Sequence, residues 1–96
     1  MERKRNKLEV IRDMLLAISA KNGRIKPTQL LYKSNLSHVM MKDYIRDMVA
    51  RGLVKEAKTK ESRTYFITEK GSKYLSEYGT IVNFMESFGL SEPEES

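Results

Sequence analysis

The chain has 96 residues, 40% of them apolar and 32% charged, a size and composition that support a single hydrophobic core. It contains no cysteine, which excludes a disulfide framework and a thiolate metal site. Net charge is +5 but unevenly spread: up to Tyr74 there are 18 Lys/Arg against 8 Asp/Glu, whereas residues 75–96 carry 5 Glu and no basic side chain.

A basic body attracts polyanions by neutralising phosphates and releasing counterions, and an acidic C-terminal segment should face away from them. The same charge also fits the solvated, lysine-rich surface of thermophile proteins. Lack of cysteine makes a reducing, cytoplasmic setting the expectation. Charges at Glu9, Arg12 and Asp13 interrupt the apolar region behind the basic N-terminus, so no secretory signal is expected, and no stretch is long enough to span a bilayer.

Within residues 4–20, Leu8, Ile11, Met14, Leu15 and Ile18 recur at three- and four-residue steps, which predicts a first helix, stopped by Lys21-Asn22-Gly23. A short basic stretch, residues 24–26, leads to Pro27. Pro27 and the six residues after it predict a short second helix with Pro in its first turn and Thr28 as a competing cap. Ser34-Asn35-Leu36-Ser37 is a polar turn, and Ser37 is placed to cap a third helix that runs to about Arg51 and ends at Gly52. Two helices joined by so short a turn form a helix-turn-helix. Residues 53–57 and 64–68 are β-type runs around a polar tip, a hairpin that serves as a wing, with Tyr65 and Ile67 on one face.

Thr68 is placed to cap a fourth helix reaching about Phe88. Tyr74, Tyr78, Ile81, Met85 and Phe88, widened by Leu75 and Val82, form an apolar stripe at the spacing of a two-helix seam. Dimerisation through this helix is the expectation, weakened by Gly71 and Gly79. Its rival is an ordinary core helix packed on the first. The fold class is thus α+β, mainly α: a winged helix-turn-helix of three helices and a β-hairpin wing, with a long C-terminal dimerisation helix. The corresponding division is a DNA-binding domain over residues 1–70, a dimerisation helix over 71–90 and a disordered acidic tail over 91–96.

On the third helix, Met41, Tyr44, Ile45, Met48 and Val49 are expected to face the core, leaving His38, Val39, Met40, Lys42, Asp43 and Arg46 outside. An α-helix fits the DNA major groove, so Ser37, His38, Lys42 and Arg46 are the candidate contacts. Lys42 and Arg46 can reach guanine or phosphate, while Ser37 suits phosphate; His38 reads equally as a surface residue without a special role. Asp43 and Asp47 would sit near phosphates and weaken the face. Lys58, Lys60 and Arg63 flank a flexible wing tip that can straddle a backbone or enter a minor groove, or can simply be solvated side chains that discourage edge aggregation. Arg3, Lys4, Arg5 and Lys7 offer further phosphate contacts. Tyr32, Tyr44, Tyr65, Tyr74 and Tyr78 all fall on expected apolar faces. With one His, no Cys, no glycine-rich phosphate loop and no paired acids, nothing here suggests an enzyme, a cofactor, a metal or a small-molecule ligand.

The words Leu30-Leu31-Tyr32-Lys33-Ser34-Asn35-Leu36-Ser37, Tyr44-Ile45, Gly52-Leu53-Val54 and Tyr65-Phe66-Ile67-Thr68-Glu69-Lys70-Gly71 resemble the archaeal winged helix-turn-helix family that includes the small ten-kilodalton DNA-binding proteins of Sulfolobales. The resemblance spans roughly residues 4–85. It implies a homodimer joined by an antiparallel coiled coil of the C-terminal helices. The recognition helix (Ser37, His38, Lys42, Arg46) and wing (Lys58, Lys60, Arg63) would lie on double-stranded DNA, as those of a transcriptional regulator or a nucleoid-associated, chromatin-like organiser. The last helix departs from that pattern in its shortness and in Gly79. The alternative from another class is a protein-interaction module that uses the fourth helix together with Val39 and Met40.

Overall fold

The computed structural model describes residues 5–90. The elements run α1 (Lys7–Ala20), β1 (Arg24–Ile25), α2 (Pro27–Ser34), α3 (His38–Ala50), β2 (Val54–Lys58), β3 (Arg63–Ile67) and α4 (Glu69–Ser87). Arg3, Lys4 and the acidic tail, residues 91–96, lie outside the described residues.

Local chemistry explains each boundary. α1 starts at Lys7 because Asn6 caps it: the Asn6 Oδ1 accepts from the Glu9 amide at 2.9 Å, and the Glu9 carboxylate accepts from the Asn6 amide at 3.0 Å. This reciprocal pair satisfies two amides that a bare helix end would leave open. Asn22 and Gly23 both take positive φ, and the Gly23 amide returns to the Ile18 carbonyl, ending the helix. Pro27 opens α2 with no side-chain cap, so Thr28 does not hold that role; the Gln29 side chain instead accepts from the Lys26 amide at 3.3 Å. Between α2 and α3, Asn35 adopts the left-handed conformation at φ 54°, Leu36 packs on the core, and the Ser37 Oγ accepts from the Met40 amide at 3.2 Å. The Asn-Leu-Ser word is therefore a turn residue, an anchor and a helix cap in succession.

The expected hairpin is present, but it is two-thirds of a sheet. β1, which the sequence pattern did not reveal, pairs antiparallel with β3 (Arg24 opposite Phe66, Ile25 opposite Tyr65), giving the order β1-β3-β2. β2 pairs with β3 from Val54 opposite Ile67 to Lys58 opposite Arg63. Strand alternation divides the residues: Ile25, Val54, Glu56, Lys58, Arg63, Tyr65 and Ile67 take the face toward the helices, and Arg24, Lys55, Ala57, Thr64 and Phe66 take the outer face.

The core lies between α1, α2, α3 and the inner sheet face. Met14, Leu15, Ile18, Leu30 and Met48 are fully buried in it, and Tyr65 closes it from the sheet. Three inward expectations are corrected. Leu8 is exposed at the edge of α1. Val49 is exposed because the buried stripe of α3 is Met41, Ile45 and Met48, and Val49 sits on the flank beside it. Tyr32 is 87% exposed because Leu30 and Ser34, two positions either side, are the buried residues of α2, which turns Tyr32 to the opposite side.

The Thr-Glu-Lys-Gly word is a fastening. The Thr68 hydroxyl accepts from the Gly71 amide at 3.0 Å and donates to the Gly52 carbonyl at 2.6 Å, while the Lys70 Nζ donates to the Arg51 carbonyl at 2.6 Å. Together they tie the start of α4 to the end of α3. A Cβ at Gly71 would collide with the Leu53 carbonyl oxygen and lie 2.9 Å from the Ile67 Cγ1, so only glycine lets α4 approach here.

Candidate nucleic-acid interface

α3 presents two different flanks. On one, Lys42, Ile45, Arg46 and Val49 line a groove of about 270 Å³ whose other wall is Glu56, Arg63 and Tyr65 of the sheet. On the other, Asp43, Tyr44 and Asp47 stand beside Lys7. Asp47 is held there by Arg51 at 3.0 Å and Lys7 at 3.6 Å. The hydrogen bond from Arg51 keeps its carboxyl below the usual range, against a smaller opposing effect of burial. Asp47 is therefore turned toward Arg51 and Lys7, while Asp43 stays exposed about 60° around α3 from Arg46.

Ser37 and His38 begin α3 at its exposed end, with Val39 (69% exposed) and Met40 following. The Ser37 Oγ accepts as the helix cap, which leaves its hydroxyl hydrogen to donate. Lys42, Arg46, Lys58 and Lys60 are exposed. Arg63 is placed differently: its Nε lies 3.0 Å from the Glu56 Oε2 across the hairpin, so its charge is partly answered within the wing. Lys58 shares the helix-facing side of the hairpin with Arg63, directly opposite it in register. Lys60 lies in the tip.

The tip is organised. Thr59 closes it, its amide donating to the Ser62 carbonyl at 2.8 Å and its Oγ1 accepting from the Ser62 amide at 3.0 Å. The N-terminal cations split as well. Arg5 bonds Asp13 at 2.8 Å and the Asn35 carbonyl at 3.1 Å, bracing the turn between α2 and α3, and Lys7 is the partner of Asp47.

The expected dimer residues fall into two groups. Tyr74 and Leu75 pack against the chain's own core, with the Tyr74 hydroxyl donating to the Leu8 carbonyl at 2.8 Å, and Tyr78 stands under the Arg12 guanidinium at 5.0 Å. Beyond them Val82 and Met85 are half-buried, while Ile81, Phe84, Phe88 and Leu90 are 52–68% exposed. Phe84 and Leu90 stand outside the stripe counted from Tyr74, so periodicity alone did not mark them; the ring of Phe84 meets that of Phe88 at 4.9 Å.

Among the described residues, no group of three or more His, Cys, Asp or Glu could hold a metal ion, and no helix is long and apolar enough to cross a membrane. Three helices with a capped third, followed by a hairpin over its flank, define a winged helix-turn-helix. The sequence matches that family over residues 4–86, and the chain belongs to it. No curated protein sequence matches the chain.

Among solved structures the chain is similar to Sso10a-2, a DNA-binding protein from Sulfolobus solfataricus, with a TM-score of 0.76 at 20% identity, covering 88% of this chain and 85% of that one. It is similar to a winged-helix DNA-binding protein from STIV, with a TM-score of 0.70 at 17% identity over 81% and 90% of the two chains. A MarR family transcriptional regulator from Silicibacter pomeroyi gives 0.69 at 26% identity, with 80% of this chain and 53% of that one covered.

Proposed function

We propose that the protein binds double-stranded DNA as a homodimer, with α3 in the major groove and the β2–β3 wing on the adjoining backbone. The observation that carries this reading is the groove that joins Lys42 and Arg46 of α3 to Arg63 of the wing, in which Glu56 is paired with Arg63, while Asp47 is turned to Lys7 and Arg51 on the other flank. A helix with its cations gathered on the side facing a wing suits a strand of phosphates passing between the two. Lys42 and Arg46 then contact base edges or phosphates, Ser37 and His38 meet the backbone at the helix start, and Lys58 and Lys60 extend the contact along the wing. The DNA-binding proteins among the similar structures support the same reading. The exposed end of α4 supplies an apolar surface for a second copy, on the segment that carries acidic rather than basic charge and so faces away from DNA.

Fluorescence anisotropy with a random duplex across a salt series tests the proposal. Wild type binds with a steep salt slope, and Lys42→Ala with Arg46→Ala removes most of the binding. A combined Lys58→Ala, Lys60→Ala, Arg63→Ala variant has a shallower slope, by about 0.9 for each phosphate that is no longer neutralised. Absence of wild-type binding even at low salt overturns the reading and turns attention to protein partners of α4 and of the exposed Val39 and Met40. Discrimination of about 10³-fold or more between a selected operator and random duplex marks a regulator, and weak discrimination marks an organiser.

A further inference from the structure

The wing has a second basic side. Lys21 at the end of α1, Arg24 of β1, Lys26 and Gln29 at the start of α2, and Thr64 and Phe66 of β3 line a groove of about 390 Å³ on the outer face of the sheet. Three cations line it and no carboxylate does, and none of the three has an ion-pair partner among the described residues. Arg5, Lys7, Arg51 and Arg63, by contrast, all bond to acids. Lys55 adds a fourth cation to the same face, opposite Phe66 in register.

The two basic grooves sit at one level of the wing. β3 sends Arg63 and Tyr65 into the groove against α3 and, alternating with them, Thr64 and Phe66 into the outer groove. The hairpin is thus a thin blade with cations on both sides, the outer set supplied by β1 and its flanks. A blade of this kind, laid into a minor groove, meets phosphates of one strand on its inner side and of the other strand on its outer side.

Building on the proposed duplex binding, we infer that the outer groove is a second phosphate-contact site, in which Lys21, Arg24 and Lys26 hold the far strand of the same duplex beyond the wing. Gln29 and Thr64 add neutral donors there, and the Phe66 ring and the alkyl stem of Arg24 give it an apolar lining. The wing then grips rather than touches, and the footprint extends past the base pairs under α3.

The test is the salt slope of binding for wild type and for a combined Lys21→Ala, Arg24→Ala, Lys26→Ala variant. It uses a duplex of about 30 base pairs, one of about 10 that covers a single major-groove site, and a single strand of the longer length. All three side chains are exposed, and circular dichroism melts of the two proteins should superimpose. On the long duplex the slope of log K against log salt falls by about 2 to 3, and on the short duplex it is nearly unchanged. A long-duplex slope equal to wild type overturns this inference while leaving duplex binding by α3 standing. Failure of wild type itself to bind overturns the underlying reading. An equal fall on both duplexes overturns the flanking placement. A larger fall on the single strand, deepened by Phe66→Leu, assigns the groove to unpaired bases stacked on the ring and overturns the duplex placement.

Discussion

The two halves of α4 carry the same kind of apolar periodicity and meet different fates. The first half is fastened: Thr68, Lys70 and Gly71 fix it to the α3–β2 corner, and Tyr74 and Leu75 join the core. The second half leaves Ile81, Phe84, Phe88 and Leu90 to solvent. A stripe of this length is therefore two surfaces in series, the first completing the fold and the second available for association. Both readings of the helix drawn from sequence, core helix on α1 and dimerisation helix, have a place along one helix: the structure shows the first, and the second is part of the proposed function.

The sharpest way to break that contrast is Gly71→Ala. Its methyl meets the Leu53 carbonyl, which is backbone and cannot swing aside, so α4 must lift from the core. A destabilisation of about 3 kcal/mol or more is expected, a fall in Tm of about 15 °C or beyond, read by thermal melts. Gly79→Ala is the matched control in the other half, where a Cβ meets nothing within 4 Å; removing a helical glycine there should stabilise by roughly 0.5–1 kcal/mol. An equal loss at both positions would show that the halves are not distinct. Ile81→Ser with Phe88→Ser acts on the proposed pairing of two copies instead: on that proposal, analytical ultracentrifugation should show the dissociation constant rising about 100-fold, while the melt at monomeric concentration hardly moves.

Much of this was legible in the sequence, because helix periodicity and caps are local. Ser37 and Thr68 cap the helices that their positions announce, and Asn22-Gly23 and Gly52 end the helices before them. What was hidden depends on residues far apart in sequence. β1 has two residues, too few for any period, and exists only because β3 offers it a partner. Gly71 reads as a weak point of a heptad until the Leu53 carbonyl is seen beneath it. The joining of Lys42 and Arg46 to Arg63, the diversion of Asp47 to Lys7 and Arg51, and the outer groove drawn from α1, β1, α2 and β3 all follow from strand register and helix rotation. The alternation of Arg63 and Tyr65 with Thr64 and Phe66 was the available signal that the wing has two differently lined faces.

Smaller effects refine how the first half of α4 is held. Thr68→Ala removes both the cap and the bond to the Gly52 carbonyl, and should cost about 1–2 kcal/mol. Tyr74→Phe deletes only the bond to the Leu8 carbonyl and should cost about 1 kcal/mol at neutral pH. Its pH dependence separates it from the cap. Burial, helped by the neighbouring Tyr78 and opposed by Arg12, pushes the Tyr74 hydroxyl from its ordinary 10.0 up to about 12. The folded state therefore favours the neutral phenol. Its stabilising contribution is complete below pH 10 and is lost as pH rises toward 12, because the unfolded chain ionises first. Phenylalanine cannot ionise, so the difference in stability between wild type and Tyr74→Phe should narrow over that window, whereas the deficit of Thr68→Ala should stay constant. A Tyr74→Phe deficit that persists unchanged to about pH 12 would mean that the hydroxyl is not held against α1, and the first half of α4 would then rest on Leu75 and the Thr68 to Gly71 fastening alone.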